Sequence, residues 1–491
     1  MNTDRIDVLA ASFVALLFLA SALHAEVFDV NELLVTGPTE RRVNIVFLAE
    51  GYRETEMATF EMDVLEVLDG LFAESPYREY QNFFNAYSVE VPSMQSGTDH
   101  PGTAPDCPPD MPVFHNNTYF NSTFDYGGIH RALVAKNSQA VYETLQDNMP
   151  EWDVAFIVVN TEYYGGTGGA FATFSMDPAS SEIALHELGH SFAGLADEYD
   201  YGGMTPYEGP NVTAETEREL IKWRSWIVDA TPIPTPEIET YSEVVGLFEG
   251  AVYQAIGWYR PKLDCKMKIL GVPFCEVCKE QTVNSIYDLL LTPLDGYEPE
   301  LDSVTVMTDE VLQFMIDLVE TVPNTIQTVW TIDDGVVAEG LDSLLFQAAS
   351  YAPGEHVVTV SVSDTTRLVR NVPPEQLTTE VEWIVTVEES LTGSETPGYN
   401  TAVLRQNYPN PFNPVTTISY FLPEGGDVLL QVFDVRGREI KRLVDGNVKA
   451  GEWKVVWDGS NERGDAVVSG VYFIRLRTGG ESRVRKTILM R

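Results

Sequence analysis

The chain has 491 residues, of which 44% are hydrophobic and 21% are charged, and it carries a formal net charge of −43. This composition excludes a disordered chain, and the length predicts two to four domains rather than a single core. A chain this acidic repels nucleic acid and anionic membranes, so we expect neither as a partner.

Residues 1–25 have the pattern of a secretory signal peptide. Arg5 precedes an apolar run over residues 8–20, and small residues follow it. The run is too short to span a membrane. Asp4 and Asp7 depart from the usual positive start, and a buried N-terminal helix is the alternative. We expect an exported chain, secreted or held at the cell surface, with no transmembrane span once this segment is removed.

Strands alternate with helices in the next part of the chain. Apolar runs predict strands at residues 42–49, at NAYSVEVPS and at residues 152–160. Amphipathic spacing predicts helices over residues 54–74 and 130–147. This alternation favours an α/β layer with a mixed or mostly parallel sheet, in a domain that we place at residues 26–298.

A glycine-rich stretch, YYGGTGGAFATFSM, covers residues 163–176. Its glycines predict a turn or a close approach of the backbone to another group. Residues 170–176 then form a strand, which is either a sheet edge that binds an extended peptide or an ordinary core strand.

The stretch ALHELGHSFAGLADEYD, residues 184–200, follows directly. His186 and His190 are four residues apart, so on a helix they lie on one face and can bind one metal ion. Glu187 is one step round, close enough to hold a water molecule on that metal. This pattern is typical of zinc hydrolases, in which three protein ligands leave one position open.

The third ligand is expected after the turn that ends this helix. In Gly-turn metallopeptidases it follows a glycine by three residues. Asp197 follows Gly194 by three, although the spacing from His190 to that glycine is one residue longer than usual. Asp197 is the first choice and Glu198 the alternative.

Five further residues are weaker candidates. Tyr199 or Tyr201 would give a phenol donor for an oxyanion, or would pack only. Met267 lies either beneath the metal or in the core. His100 and His115 are metal or substrate candidates, but loop histidines are the more ordinary interpretation.

The four cysteines are Cys107, Cys265, Cys275 and Cys278. In an exported chain an even number favours disulfides. Cys275-x-x-Cys278 is also half of a zinc knuckle, for which Cys265 is the only obvious third ligand.

The remaining chain has the short alternating strands of all-β modules. Residues 299–390 predict an immunoglobulin-like sandwich, residues 391–402 a linker, and residues 403–491 a second sandwich. The charge changes at the same place, since residues 401–491 have 14 Lys and Arg against 10 Asp and Glu, a net of +4.

The first part of the chain resembles the IgA-specific metallopeptidase family of secreted bacterial zinc endopeptidases. HELGHSFAGLADEY carries the resemblance, with NIVFLAEGY, FFNAYSVEVPSMQSGTDHP, YYGGTGG, YRPKLDCKM and FCEVC in support. The resemblance implies a zincin-like α/β catalytic domain, Zn²⁺ held by His186, His190 and Asp197, and Glu187 as the catalytic glutamate. It does not imply that immunoglobulin A is the substrate.

The tail, with QNYPNPFNP, VFDVRGREIKRLVDG and KTILMR, resembles the C-terminal sorting domains of type IX secretion. It is also similar to the Ig-like domain of flagellar hook-cap proteins. The resemblance implies that the secretion machinery is a partner and that the chain crosses an outer membrane.

A secreted zinc metalloendopeptidase acting on extracellular proteins is the leading hypothesis. A cell-surface adhesion or glycan-binding protein with a non-catalytic peptidase-like domain is the alternative from another class. A zinc amidase acting on cell-wall peptides is a third.

Overall fold

The computed structural model describes residues 27–201, 205–290, 292–390, 402–407, 410, 412–434 and 436–489. The predicted signal peptide and residues 391–401 of the predicted linker lie outside the described residues. The chain divides into two compact units, Met1–Glu388 and Glu389–Arg491. Strands outnumber helices in both, and the several sheets are compatible with the expected β-sandwiches.

The first part of the first unit is built on a mixed sheet with helices. Its elements in chain order are β1 (Val30–Leu34), β2 (Val43–Glu50), α1 (Met57–Ala73), β3 (Phe84–Val89), β4 (Ser122–Thr123), β5 (Val134–Ala135), α2 (Ser138–Asn148), β6 (Val154–Val159), β7 (Gly166–Thr167), β8 (Ala172–Ser175), α3 (Ser180–Ser191), β9 (Phe248–Ala251), β10 (Gln254–Arg260) and α4 (Glu276–Leu290). The six-stranded sheet has the order β1-β3-β2-β6-β8-β7. Its four inner strands are parallel, and β1 and β7 pair antiparallel at the two edges.

The apolar runs explain the buried centre of this sheet. Every residue of β2, β3 and β6 is buried, as is usual for parallel strands covered on both faces. Helix α1 buries Phe60, Val64, Val67 and Leu71 against this core. These positions recur at three- and four-residue intervals, so one stripe of the helix faces inward.

The structure corrects one expectation from the sequence and decides between two alternatives for another. The helix predicted over residues 130–147 begins only at Ser138, because the Asn137 side chain accepts a hydrogen bond from the Ala140 backbone and caps it there. The strand predicted at residues 170–176 is not an edge, since β8 pairs with β6 on one side and with the short β7 on the other.

The second part of the first unit has a core of its own around Trp330 and Trp383, whose rings stack at 5.9 Å. Its sheets have the orders β11-β13-β16 and β12-β18-β17-β14-β15. The strands are β11 (Leu294–Glu298), β12 (Ser303–Met307), β13 (Val311–Leu318), β14 (Ile326–Ile332), β15 (Gly335–Glu339), β16 (Ser343–Gln347), β17 (Gly354–Asp364) and β18 (Thr378–Glu388).

A buried carboxylate joins the two parts of this unit. Asp364, the last residue of β17, accepts hydrogen bonds from the phenols of Tyr80 and Tyr287, which belong to the first core. Its other oxygen accepts from Thr325, at 2.6 Å. The two cores are therefore fastened through one acceptor with three hydroxyl donors.

The second unit has two sheets, of orders β19-β20-β23 and β22-β21-β24-β25, around a core that contains Trp457. Its strands are β19 (Val403–Leu404), β20 (Thr416–Leu422), β21 (Gly426–Asp434), β22 (Glu439–Val448), β23 (Gly451–Trp457), β24 (Gly470–Thr478) and β25 (Glu481–Leu489). None of the described helices combines the length and the apolar character that crossing a membrane requires.

Candidate metal centre and its cleft

Helix α3 presents His186 and His190 from consecutive turns on one face. Their ring centroids are 4.9 Å apart and their planes are nearly perpendicular. The Nε2 atoms of both rings lie 3.3 Å from one oxygen, Oδ1 of Asp197. Three side chains expected to bind one metal ion therefore converge on one small space.

Asp197 reaches this space because the chain reverses just after α3. Gly194 has a φ of +60°, a conformation that glycine adopts without strain, and the Leu195 amide donates to the Gly189 carbonyl at 2.9 Å. Ala196 is held by Asn211, whose side chain bonds both its amide and its carbonyl. The turn and this clamp fix the segment that carries Asp197.

The other nitrogen of each imidazole is engaged by a backbone carbonyl. Nδ1 of His186 lies 3.0 Å from the Lys266 oxygen, and Nδ1 of His190 lies 2.7 Å from the Leu195 oxygen. A carbonyl only accepts, so in the neutral ring Nδ1 carries the proton and Nε2 keeps its lone pair. This is the usual orientation of a metal-binding histidine.

The buried oxygen Oδ1 of Asp197 has no hydrogen-bond partner within the described part of the chain. It faces two nitrogen lone pairs, which repel it unless a cation lies between them. Two imidazole nitrogens and a carboxylate oxygen are a donor set that suits a divalent transition metal. The residues present therefore fit a metal ion.

The electrostatics of the three side chains agree with this fit. Burial raises the pKa of the Asp197 carboxyl, but the two histidines lower it by more, so the net shift is downward. Burial lowers the pKa of His190, but Asp197 and Glu187 raise it by more, to about 9. The space between these groups favours a positive charge, whether a proton or a metal ion.

Glu187 is 8% exposed and lies on the cleft side of α3. Burial raises the pKa of its carboxyl, against the opposing effect of His186 and His190. The glycine-rich stretch packs directly on it: a Cβ at Gly168 would lie 2.9 Å from Oε2 of Glu187 and 2.8 Å from Cβ of His190. A glycine is needed at this position because the backbone approaches the helix so closely.

The centre opens into a cleft of about 1090 Å³. Six tyrosines and three cations are among the described lining residues, namely Tyr126, Tyr164, Tyr199, Tyr201, Tyr207, Tyr253, Arg131, Lys266 and Lys268. Tyr201 is exposed and stacks on Tyr199, with ring centroids 4.6 Å apart. Arg131 lies over the other residue of this pair, with its guanidinium 5.6 Å from the Tyr199 centroid.

A family model for IgA peptidase M64 matches residues 31–240 and 237–286, which together cover just over half of the chain. The chain belongs to the IgA peptidase M64 family. This membership supports a metallopeptidase. A second model, the secretion system C-terminal sorting domain, matches residues 406–490. That match indicates export to the cell surface or the extracellular space and suggests contact with the secretion machinery.

Several solved structures are similar to parts of this M64 chain, but their TM-scores are low, so they support no conclusion about its fold or function. PorZ, a surface component of the type IX secretion system of Porphyromonas gingivalis, is 24% identical over 18% of this chain and 11% of its own, with a TM-score of 0.14. FlgD from P. aeruginosa is 22% identical over 18% of this chain and 72% of its own, also at 0.14. Latent PorU from Porphyromonas gingivalis is 16% identical over 52% of this chain and 25% of its own, at 0.19.

The chain thus spans about a tenth of PorZ and a quarter of PorU. No curated protein matches the chain.

Sequence reasoning missed Tyr253, whose phenol donates to Oδ2 of Asp197. Tyr253 lies at the tip of the hairpin between β9 and β10, 56 residues from its acceptor. Only the structure marks this residue as a functional candidate, because Val252 and Tyr253 both have positive φ, at 49° and 66°. This conformation is rare for a β-branched residue and is typical of functional sites.

The other candidates of the M64 domain lie around the centre or away from it. Met267 is buried beneath α3, where a Cβ at Gly189 would meet its Sδ at 2.6 Å. His115 is exposed. His100 is fully buried and lies in a separate group with Cys107, Asp125 and His130.

Glu198, the alternative third ligand, is directed away from the histidines. It is fully buried among three cysteines, with Oε1 3.3 Å from Sγ of Cys278. All four cysteines are described and free, so the favoured disulfides are absent from this structure. Three of them are instead gathered around one carboxylate, while Cys107 lies in another group.

Proposed function

We propose that this M64 chain is an exported, zinc-dependent endopeptidase that hydrolyses peptide bonds of extracellular proteins. The observation that carries the proposal is the convergence of two imidazole Nε2 atoms on Oδ1 of Asp197, at 3.3 Å each, beside the buried carboxylate of Glu187. We assign His186, His190 and Asp197 as the ligands of Zn²⁺. We also propose a zincin-like catalytic domain at residues 26–298, with Ig-like modules at residues 299–390 and 403–491.

Zinc bound by these three ligands supplies a Lewis acid that acidifies water and polarises a carbonyl. Glu187 acts as the general base: its carboxylate accepts a proton from the attacking water and delivers it to the leaving nitrogen. The carbonyls of Lys266 and Leu195 hold the imidazoles in position throughout. Tyr201 and Arg131, which line the same cleft, are the donors that we assign to the developing oxyanion.

The cleft favours a polypeptide over a small substrate. Its volume of about 1090 Å³ exceeds what most small-molecule pockets need. Its tyrosines offer flat apolar surfaces with polar tips, which suit side chains of varied character. The set of catalytic groups is complete, and this speaks against a binding protein that has lost its activity.

The test is hydrolysis of a mixture of unfolded proteins by the full chain, before and after metal removal. Cleavage should stop when a chelator removes the metal and should return when Zn²⁺ is added back. Cleavage that persists in a metal-free preparation would refute the proposal. A zinc-loaded chain that cleaves none of these proteins would instead favour the adhesion or glycan-binding alternative.

A further inference from the structure

A second group of side chains with the chemistry of metal ligands lies close to the candidate metal centre. It consists of Glu198, Cys265, Cys275 and Cys278, all of them buried, and their ligand atoms all lie within 4.8 Å of one another. The Sγ atoms of Cys265 and Cys278 are 3.7 Å apart. Four atoms that can bind a cation therefore surround one point in the interior.

The carboxylate of Glu198 lacks compensation in this position. Asn211 donates to its Oε1 at 2.8 Å and the Cys278 thiol donates weakly to the same oxygen at 3.3 Å, but its Oε2 is buried with no hydrogen-bond partner in the described chain. A carboxylate surrounded by sulfur atoms loses its hydration and gains little in return. A cation bound by the carboxylate and the sulfurs would supply the missing interaction.

A disulfide does not explain the arrangement. It would join two of the three sulfurs and leave the third thiol, and the carboxylate oxygen, as they are. Cys107 belongs to another group, with His100, Asp125 and His130, and offers no partner to the remaining thiol.

The geometry fits one tetrahedral metal ion. Zinc–sulfur bonds of about 2.3 Å place two sulfur ligands about 3.8 Å apart, close to the distance between Cys265 and Cys278. The Cys275 amide donates to Sγ of Cys265 at 3.3 Å, as backbone amides do towards a thiolate. Cys278 lies in the first turn of α4, where the helix dipole stabilises negative charge.

We propose that Glu198, Cys265, Cys275 and Cys278 bind a second divalent metal ion, Zn²⁺, in a closed structural site. Four protein ligands leave no open position, so this ion takes no part in hydrolysis. The proposal is independent of the hydrolytic function proposed above.

The structural site would also fix the candidate metal centre. Glu198 follows Asp197 in the chain, and its amide donates to the Met267 carbonyl at 2.8 Å. Lys266, next to Cys265, supplies the carbonyl that orients His186. One ion would therefore hold both segments that place the catalytic ligands.

Cobalt substitution separates the two sites, because only the structural site contains sulfur. The full chain loaded with Co²⁺ should show a sulfur-to-cobalt charge-transfer band in the near ultraviolet. The double variant His186→Ala, His190→Ala should keep this band, and Cys278→Ser should lose it together with one equivalent of metal. Cys107→Ser, the same substitution outside the site, should keep both the charge-transfer band and the full metal content. Cobalt bound without the band would overturn the proposal.

A measurement on the unsubstituted chain covers the case in which Cys278→Ser does not fold. All four thiols should titrate after denaturation in chelator without a reductant, and a mercurial reagent that modifies the native thiols should release one equivalent of zinc. Two titratable thiols would mean a disulfide. Four thiols with no zinc released would mean an uncharged thiol cluster. Either result would overturn the proposal.

Discussion

The phenol of Tyr253 donates a hydrogen bond to Oδ2 of Asp197, while Oδ1 of the same carboxylate faces the two histidines. The hairpin that carries Tyr253 holds two residues in the left-handed region, at a cost of about 1–2 kcal/mol each. The Val252 amide offsets part of this cost by donating to the Asp197 carbonyl at 3.0 Å. The hairpin thus orients Asp197, which we propose as the third ligand.

Tyr253→Phe should weaken zinc binding at the candidate metal centre by about 10–100-fold, since it removes the hydrogen bond that orients a ligand. The chain should fold normally, because the ring is kept. Competition with a chelator of known affinity measures the effect. Tyr207→Phe is the matched control in the same cleft and should leave affinity unchanged. Equal affinities for the parent and Tyr253→Phe would show that the bond does not position Asp197.

Asp197→Ala should lower zinc affinity at the histidine site by more than about 100-fold, because a ligand is lost rather than a supporting bond. Glu198→Gln should keep zinc at that site, since its carboxylate lies among the cysteines. Zinc-dependent hydrolysis measured at increasing free zinc separates the two variants. If Asp197→Ala needs no more zinc than the parent while Glu198→Gln does, the third ligand has been assigned to the wrong residue.

Gly168→Ala should reduce hydrolysis strongly without unfolding the chain. Its Cβ would lie 2.8 Å from Cβ of His190 and 2.9 Å from Oε2 of Glu187, so the loop or the helix must move. A displacement of about 1 Å in a catalytic site costs on the order of 100-fold in rate. Gly296→Ala, where no atom lies within 4 Å of the added Cβ, is the control. Unchanged kcat/KM in Gly168→Ala would show that the loop accommodates the added methyl group without displacing Glu187 or His190.

Asp364→Ala should destabilise the first unit by about 3 kcal/mol. It removes the acceptor shared by Tyr80, Tyr287 and Thr325, and their buried hydroxyls lose a partner. Thermal unfolding followed by tyrosine and tryptophan fluorescence measures the loss. Asp342→Ala, at an exposed position, should change the midpoint little. A midpoint equal to the parent's would mean that this contact does not fasten the two cores.

The parts of the site that the sequence anticipated are those encoded locally. Four-residue spacing on one helix is enough to bring His186 and His190 together, because helix geometry is the same everywhere. The reversal after α3 is equally local, since Gly194 precedes Asp197 by three residues. Family resemblance added the expectation of a peptidase, and the M64 match confirms that family.

The missed parts depend on contacts distant in the chain. Tyr253 is 56 residues from Asp197, and Lys266 is 80 residues from His186. No local sequence pattern predicts contacts at such separations. For the cysteines, compartment and number favour disulfides, and the spacing leaves a zinc knuckle of Cys265, Cys275 and Cys278 open with its fourth ligand unassigned. Only the structure places the carboxylate of Glu198 among these three sulfurs. The residue pattern of β8 could not show whether this strand lies at the sheet edge or in the interior. Its outer neighbour, β7, is only two residues long and leaves no strand pattern in the sequence.

The most direct test of the central claim measures zinc content and hydrolysis together in the full chain and its Glu187→Gln variant. Glu187 is assigned as general base and not as ligand, so the variant should keep the parent's zinc content and lose about 10²–10⁴-fold in kcat/KM. Glu66→Gln, an exposed position in the same domain, should match the parent in both. A Glu187→Gln variant that cleaves at the parent's rate, or a parent that contains no zinc, would contradict the account.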